Sequence, residues 1–498
     1  MTKCGHCGSS LNASALGTRF ADDPLQGLQE AEQEILRLQL LLDELIERRR
    51  SFKQEINNRY CPVLQLPPEI STEIFSHCLP SVYSLPSISV KDLTPYHLGH
   101  VCRAWRDTVW STPRLWSTIC LNLSDKINLS LITRWMMFSG QHPLSVSIDW
   151  GRWPSDDSEE FGTLFDNRNG IFMDVLDAVA SFSAQLHTMD VRVPGKYFYD
   201  SGDFAGFSEP LPLLTSVSLH NVRISLSGFP VMLSAPHLEE IRLTGCGISE
   251  KRSRDFNIRQ VKHILLRSMG FNECLVFLNH VSPVDCTLIN IVRSPEPVAS
   301  VQMPYLETLT VESAWGITEL LSGLTAPAML QLAIVSASTS PFSLSKFVYF
   351  LRRSSCSLRS LSLSGAGVCG TQLFECLQLL PSLVKLELSS GSLRDEIVQL
   401  LGPFPAPGHS QCLLPNLEVL GYAGQLDFNS LSISGILLFR WRQGICGRVA
   451  QLRRVALRTM IKVSEAPAVS QYRYLVAEGL DLSIGTAEEF GTAKECWL

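Results

Sequence analysis

The sequence predicts a mixed chain, α+β with an α/β repeat, in three successive parts. These are a long N-terminal helix, a small all-helical module and an irregular array of strand–helix units. Three patterns carry this reading. Apolar residues recur at steps of three and four from Leu28 to Ile56. A run of helix-start signals falls between Leu66 and Trp116. Beyond Trp116 the apolar period drops to two, and a Pro-x-Leu-x-x-Leu-x-Leu unit returns along the rest of the chain.

Residues 1–24 are expected to form a disordered tail. Cys4-Gly5-His6-Cys7 is half of a zinc-ribbon pattern, but tetrahedral zinc needs four ligands and the next cysteine is Cys61. Zinc shared between two chains is the alternative. Residues 25–60 read as one long helix whose seam is Leu28, Ala31, Ile35, Leu38, Leu42, Leu45, Phe52 and Ile56, interrupted by Arg49. Charged flanks over about four heptads suggest a coiled coil. A single helix docking its apolar face on its own chain fits the same pattern. Pro62 then ends the helix.

Residues 61–117 form the helical module. Pro68 suits the first position of a helix and Glu69 favours its positive end, with Ile70, Ile74, Phe75, Cys78 and Leu79 following at helical spacing. Thr94 and Pro95 open a second helix carrying Leu98, Val101, Cys102, Trp105 and Val109, and Thr112-Pro113 starts a last turn. The segments Leu66-Pro67-Pro68-Glu69-Ile70, Ile74-Phe75, Val101-Cys102-Arg103-Ala104-Trp105-Arg106 and Pro113-Arg114-Leu115-Trp116 together resemble the F-box. That resemblance implies a Skp-type adaptor of an SCF ubiquitin ligase as partner. It implies an adaptor-binding set of Leu66, Pro67, Ile70, Ile74, Phe75, Leu79, Leu98, Val101 and Trp105. Pro67 and Phe75 are expected to make contact, while the stripe position of Trp105 also suits core packing. The stretch from Pro80 to Leu93 is longer than the family usually carries between its first helices.

Residues 118–498 hold the repeat. Copies stand at Leu214-Val217-Leu219, Leu238-Ile241-Leu243, Leu306-Leu309-Val311, Met329-Leu332-Ile334, Leu383-Leu386-Leu388 and Leu417-Leu420-Tyr422, each with a proline two residues ahead. Leu186-Met189-Val191, Val261-Ile264-Leu266, Leu358-Leu361-Leu363 and Leu452-Val455-Leu457 lack that proline, and Cys286-Ile289-Ile291 fits as a hidden copy. Consecutive copies lie mostly 23 to 29 residues apart. A strand and a helix at this period resemble a leucine-rich-repeat solenoid. The asparagine or cysteine expected three positions after the last leucine occurs only at Cys246, which predicts irregular stacking. Residues 152–170 and 196–210 read as loops, the first of them acidic. With leucines inward, alternate strand residues face outward; Glu240, Arg242, Glu312, Lys385, Glu387, Arg454 and Arg458 are the candidate substrate-binding residues. Arg454 and Arg458 belong to a basic run between Phe439 and Val463 that suits an acidic or phosphorylated segment; a soluble capping repeat is the alternative.

The chain of 498 residues carries a net charge of −6, which argues against a general nucleic-acid binder. Fifteen scattered cysteines without framework spacing predict reduced thiols, and Met1–His6 lacks the apolar core of a signal peptide. A cytoplasmic or nuclear protein without membrane spans is expected. Gly365-Ala366-Gly367-Val368-Cys369-Gly370 matches the dinucleotide fingerprint, with Glu387 placed as the ribose-binding acid would be. The strand ahead of it alternates Ser360, Ser362 and Ser364 with Leu361 and Leu363, whereas a dinucleotide-binding strand is apolar on both faces. No Gly-x-Ser-x-Gly elbow, Walker loop or His-Glu-x-x-His occurs. No catalysis, cofactor or metal is expected. The expectation is a substrate receptor whose layout resembles the expanded F-box families of mushroom-forming fungi; a scaffold with internally docked F-box-like helices is the alternative.

Overall fold

In a computed structural model the described residues are 24–79, 95–123, 128–151, 161–193, 199–200, 207, 211–225, 235–249, 258–292, 300–336, 343–365, 371–393, 413–426, 430–445, 449–459 and 466–486. Cys4, Cys7, the Pro80–Leu93 stretch and Ala366 to Gly370 therefore lie outside them. Two compact units result, one from Met1–Cys78 with Leu98–Ser111, the other from Leu79–His97 with Thr112–Leu498.

The first unit is helical. Helix α1 (Pro24–Tyr60) leads through a 3-10 turn at Pro62–Gln65 into α2 (Pro68–Cys78). The unit resumes at Leu98 within α3 (Pro95–Val101), whose first three residues belong to the second unit, and continues as α4 (Arg103–Trp110). Proline stands first in α1, α2 and α3, where its missing N–H leaves no bond unmade.

The second unit is a mixed α/β arrangement around one parallel sheet of fourteen strands. Its strands are β1 (Thr118–Asn122), β2 (Leu144–Asp149), β3 (Leu186–Arg192), β4 (Ser216–His220), β5 (Glu240–Thr244), β6 (His263–Arg267) and β7 (Asp285–Ile289). They continue as β8 (Thr308–Ser313), β9 (Gln331–Ser336), β10 (Ser360–Ser364), β11 (Lys385–Leu393), β12 (Val419–Leu426), β13 (Arg454–Thr459) and β14 (Asp481–Thr486). Each pairs with the next in chain order. One column runs in register from Ile119 through Val146, Met189, Val217, Ile241, Ile264 and Cys286 to Leu309, Leu332, Leu361, Leu386, Leu420 and Val455. Every member of that column is buried, because strand side chains alternate faces and the repeat keeps leucine-like residues at one parity.

Several sequence expectations change here. Phe161–Ala180 is a helix, so the expected acidic loop does not extend to residue 170. Phe172, Val175, Leu176 and Val179 repeat at helical spacing and bury their side chains, a signal the acidic residues ahead of them obscured. The hidden copy is three residues out of step: Cys286 pairs with Leu309 and Leu288 with Val311, while Ile289 faces Glu312 on the opposite side. A last strand, β14, keeps Leu482 and Ile484 at the same parity but has Gly479 where the other copies of the unit open on an apolar residue.

Nor does the stacking depend on Cys246 alone. Asn221, Gly245, Ser268, Asn290 and Gly365 each follow a strand directly and take a positive φ. Their amides donate to carbonyls of the next strand, at 2.7 Å for Asn221 to Thr244 O, 2.8 Å for Gly245 to Arg267 O and 2.7 Å for Asn290 to Glu312 O. Asn221 Nδ2 also donates to Val193 O at 2.8 Å and Ser313 Oγ to Ile291 O at 3.2 Å. Asparagine and glycine tolerate the left-handed turn, so the ladder sits two positions after the last leucine rather than three. Helices add a second stitch: Arg353 of the helix Leu344–Ser354 donates to Leu321 O at 2.7 Å and Ser322 O at 2.8 Å, satisfying carbonyls at the end of the helix Ile317–Gly323.

Candidate adaptor-binding and outer-face sites

Helix α2 turns one side inward and leaves another in water. Phe75 is 2% exposed, with its ring centroid 4.7 Å from that of Trp105 on α4. Ile70 and Ile74, one turn apart, are 49% and 45% exposed, and Pro67 just ahead of the helix is exposed as well. Leu66 and Leu79 are half-buried. On α3, Leu98 is buried and Val101 is 62% exposed. The short α3–α4 corner is held locally: Cys102 Sγ accepts from the Trp105 amide at 3.5 Å, and Arg106 Nε donates to Gly99 O at 3.0 Å.

The predicted adaptor set thus divides. Phe75 and Leu98 are interior, and Trp105 is the packing partner of Phe75, so these three shape the module. Among the described residues nothing covers the apolar surface of Pro67, Ile70, Ile74 and Val101. The periodicity of α2 placed Phe75 with Ile70 and Ile74 because all three are apolar; only the position of Trp105 separates them. Helix α1 does not cover this surface, since its own seam is open: Leu38 and Leu45 are each 53% exposed.

Within the second unit, the turn Pro113–Trp116 anchors the start of the sheet. Trp116 is fully buried, edge-on to Tyr96 at 5.0 Å and to Trp135 at 5.9 Å, and tilted against Phe138 at 5.0 Å.

The outer face of the sheet is polar but largely self-satisfied. Arg242 pairs with Glu240 at 2.6 Å, Lys385 with Glu387 at 2.8 Å, and Arg454 with Asp481 at 2.6 Å. Glu387 is 7% exposed, so it is shielded rather than displayed. Glu312 stands in β8 beside Val335 of β9. Arg458 stands in β13 beside Ala423 of β12. The basic run is correspondingly less open than its sequence suggests. Arg440 is buried and donates to Leu413 O at 3.3 Å and to Leu414 O, and Arg453 pairs with Glu418 at 3.1 Å. Sequence composition alone does not show that acids from neighbouring repeats, Glu418 just ahead of β12 and Asp481 on β14, meet these arginines.

A second charged group lies toward the other end. Asp190 on β3 is fully buried; Ser147 Oγ donates to its Oδ2 at 3.0 Å, and Arg192 Nη2 lies 2.9 Å from the same oxygen. His220 Nε2 approaches Oδ1 at 3.4 Å and Ser218 Oγ at 3.1 Å. Burial pushes the Asp190 carboxyl up, but hydrogen bonding to His220 and Ser218 and the Arg192 charge outweigh it and hold the group below the usual carboxylate range. Both contacts reach the same imidazole nitrogen, so this is not the serine–histidine–aspartate relay, in which the two use opposite ring nitrogens.

Three of the buried cysteines are held away from the thiolate form. Burial pushes the Cys286 and Cys376 thiols up to about 12 and that of Cys246 up to about 11, so they stay protonated at neutral pH. At the glycine motif, Gly365 has φ +130°, and an added Cβ would lie 2.6 Å from Ser336 O of β9. Close approach of neighbouring strands accounts for this glycine. Gly365→Ala is expected to cost about 2–4 kcal/mol through strain and overpacking, read as a lower melting temperature. Unchanged melting would show that β9 and β10 do not meet this closely.

Residues 63–122 match the family model described as F-box-like, and F-box domains generally bind Skp-type adaptors. The chain therefore contains an F-box-like domain, which suggests an SCF adaptor-binding role. No curated protein matches the chain. Among the described residues no helix is long and apolar enough to cross a membrane.

Proposed function

We propose that this chain is a substrate receptor of an SCF-type ubiquitin ligase. The observation that carries the reading is the open apolar set Pro67, Ile70, Ile74 and Val101 on a helical module that matches the F-box-like family. Uncovered isoleucines and valine on short helices are what a partner interface needs. The Skp-type adaptor docks there. The sheet unit is read as a leucine-rich-repeat solenoid, supported by the strictly sequential strand order and the in-register leucine column. Its outer face, from Glu240 and Arg242 through Lys385 to Arg454, holds the target protein. The chain does no chemistry itself; it supplies proximity to a reaction that other subunits perform, in the reducing cytoplasm or nucleus.

The test is affinity purification of the full chain from cells that contain the ligase, followed by identification of bound proteins. Adaptor and cullin peptides above a control are expected. Recovery of the folded chain without either would remove the ligase reading.

A further inference from the structure

Helix α1 exposes a seam that the other described residues of its unit do not use. Leu28, Ile35, Leu38, Leu42, Leu45, Phe52 and Ile56 are each 53–57% exposed, and among its described residues only Gly27 is buried. From Leu28 to Ile56 the seam spans 29 residues, about 42 Å at the helical rise. Leu41 and Ile46 widen it on both sides near its middle. The span is about four heptads, the length over which a sustained apolar seam with charged flanks marks a coiled coil.

The charges along α1 choose the occupant and its direction. Up to Glu47 the helix holds Glu30, Glu32, Glu34, Asp43, Glu44 and Glu47 against Arg37, a net of −5. Beyond it stand Arg48, Arg49, Arg50, Lys53 and Arg59 against Glu55, a net of +4. The pairing of Arg50 with Glu47 within the helix removes one charge from each side and leaves the polarity intact. A helix acidic at one end and basic at the other is complementary to itself reversed.

We infer that α1 pairs with the α1 of a second copy of this chain as an antiparallel two-helix coiled coil. With Leu42 level with the partner's Leu45, Ile35 meets the partner's Phe52 and Ala31 meets the partner's Ile56, a small residue against a large one. Arg49, the break in the seam, then lies against the partner's Leu38. Glu32 stands beside the partner's Lys53. The one unfavourable flank is Glu34 beside the partner's Glu55, at the solvated edge. A parallel pair would instead put Arg49 against the partner's Arg49 within the seam and Arg48 beside the partner's Lys53, concentrating like charge where it is least screened. The inference does not rest on the ligase reading, because it uses only α1.

Sedimentation of the full chain tests it. The wild type is expected at twice the 55.3 kDa chain mass at micromolar concentration. Leu38→Asp with Leu45→Asp should raise the dimer dissociation constant at least about a hundredfold, with melting of the remaining fold unchanged, since both side chains are solvent-exposed in one copy. Reversing the basic end alone, Arg48→Glu with Lys53→Glu and Arg59→Glu, should dissociate an antiparallel dimer. Adding Glu30→Lys, Glu32→Lys and Glu34→Lys to that variant should restore it. A monomeric wild type, or a dimer indifferent to the aspartates, overturns the pairing. A dimer that survives reversal of the basic end alone overturns its direction.

Discussion

Ile70→Asp with Ile74→Asp is expected to weaken adaptor binding at least about a hundredfold while leaving the melting temperature of the chain within error. The two side chains are about half exposed in the free chain, so the folded state gives up little when they change. In a complex they would be desolvated. Each isoleucine, already half-buried, then contributes about half of the ~1.5–3 kcal/mol of full burial, and a buried aspartate without a partner adds a further penalty. A hundredfold corresponds to about 2.7 kcal/mol, well inside that sum. Phe75→Ala should behave differently. Its ring is 2% exposed against Trp105, so truncation costs about 3–5 kcal/mol of fold and reduces binding by melting the module. Comparing the two variants by thermal melting and by adaptor titration separates contact from support. A folded isoleucine double variant that binds as wild type would place the adaptor contact elsewhere.

Asp190→Ala is expected to destabilise the sheet unit by about 3–5 kcal/mol, because it removes the acceptor of Ser147 and the counter-charge of a partly buried Arg192. The pH dependence carries the sign. The folded carboxyl is held below its unfolded value, so its contribution is complete above the unfolded value and is lost as pH falls through the folded one. Melting of the wild type should therefore decline on acidification, and Asp190→Asn should be less stable at neutral pH with a shallower acid decline. Parallel acid declines in the two proteins would show that Asp190 is not the linked group.

Much of this was legible in the residues. The leucine spacing gave the strands and their inward parity at Val217, Leu332 and Leu386, because a sheet with one apolar face writes its period directly into the chain. Helix starts at Pro68 and Pro95 were equally plain, since proline fits there and few other places. Three things were not local. Phe75 separates from Ile70 and Ile74 only through Trp105, thirty residues away. The arginines of the basic run find Glu418, just ahead of β12, and Asp481 on β14, and no linear pattern announces that. The left-handed residues Asn221 and Asn290 do the stacking one position earlier than a leucine count suggests.

The central claim is that the module carrying Pro67, Ile70, Ile74 and Val101 holds a Skp-type adaptor. The most direct measurement is calorimetric titration of the purified full-length chain with purified adaptor. Saturable binding is expected at one adaptor per chain, and it should disappear in the Ile70→Asp, Ile74→Asp chain. A folded wild-type chain that takes up no adaptor would contradict the account.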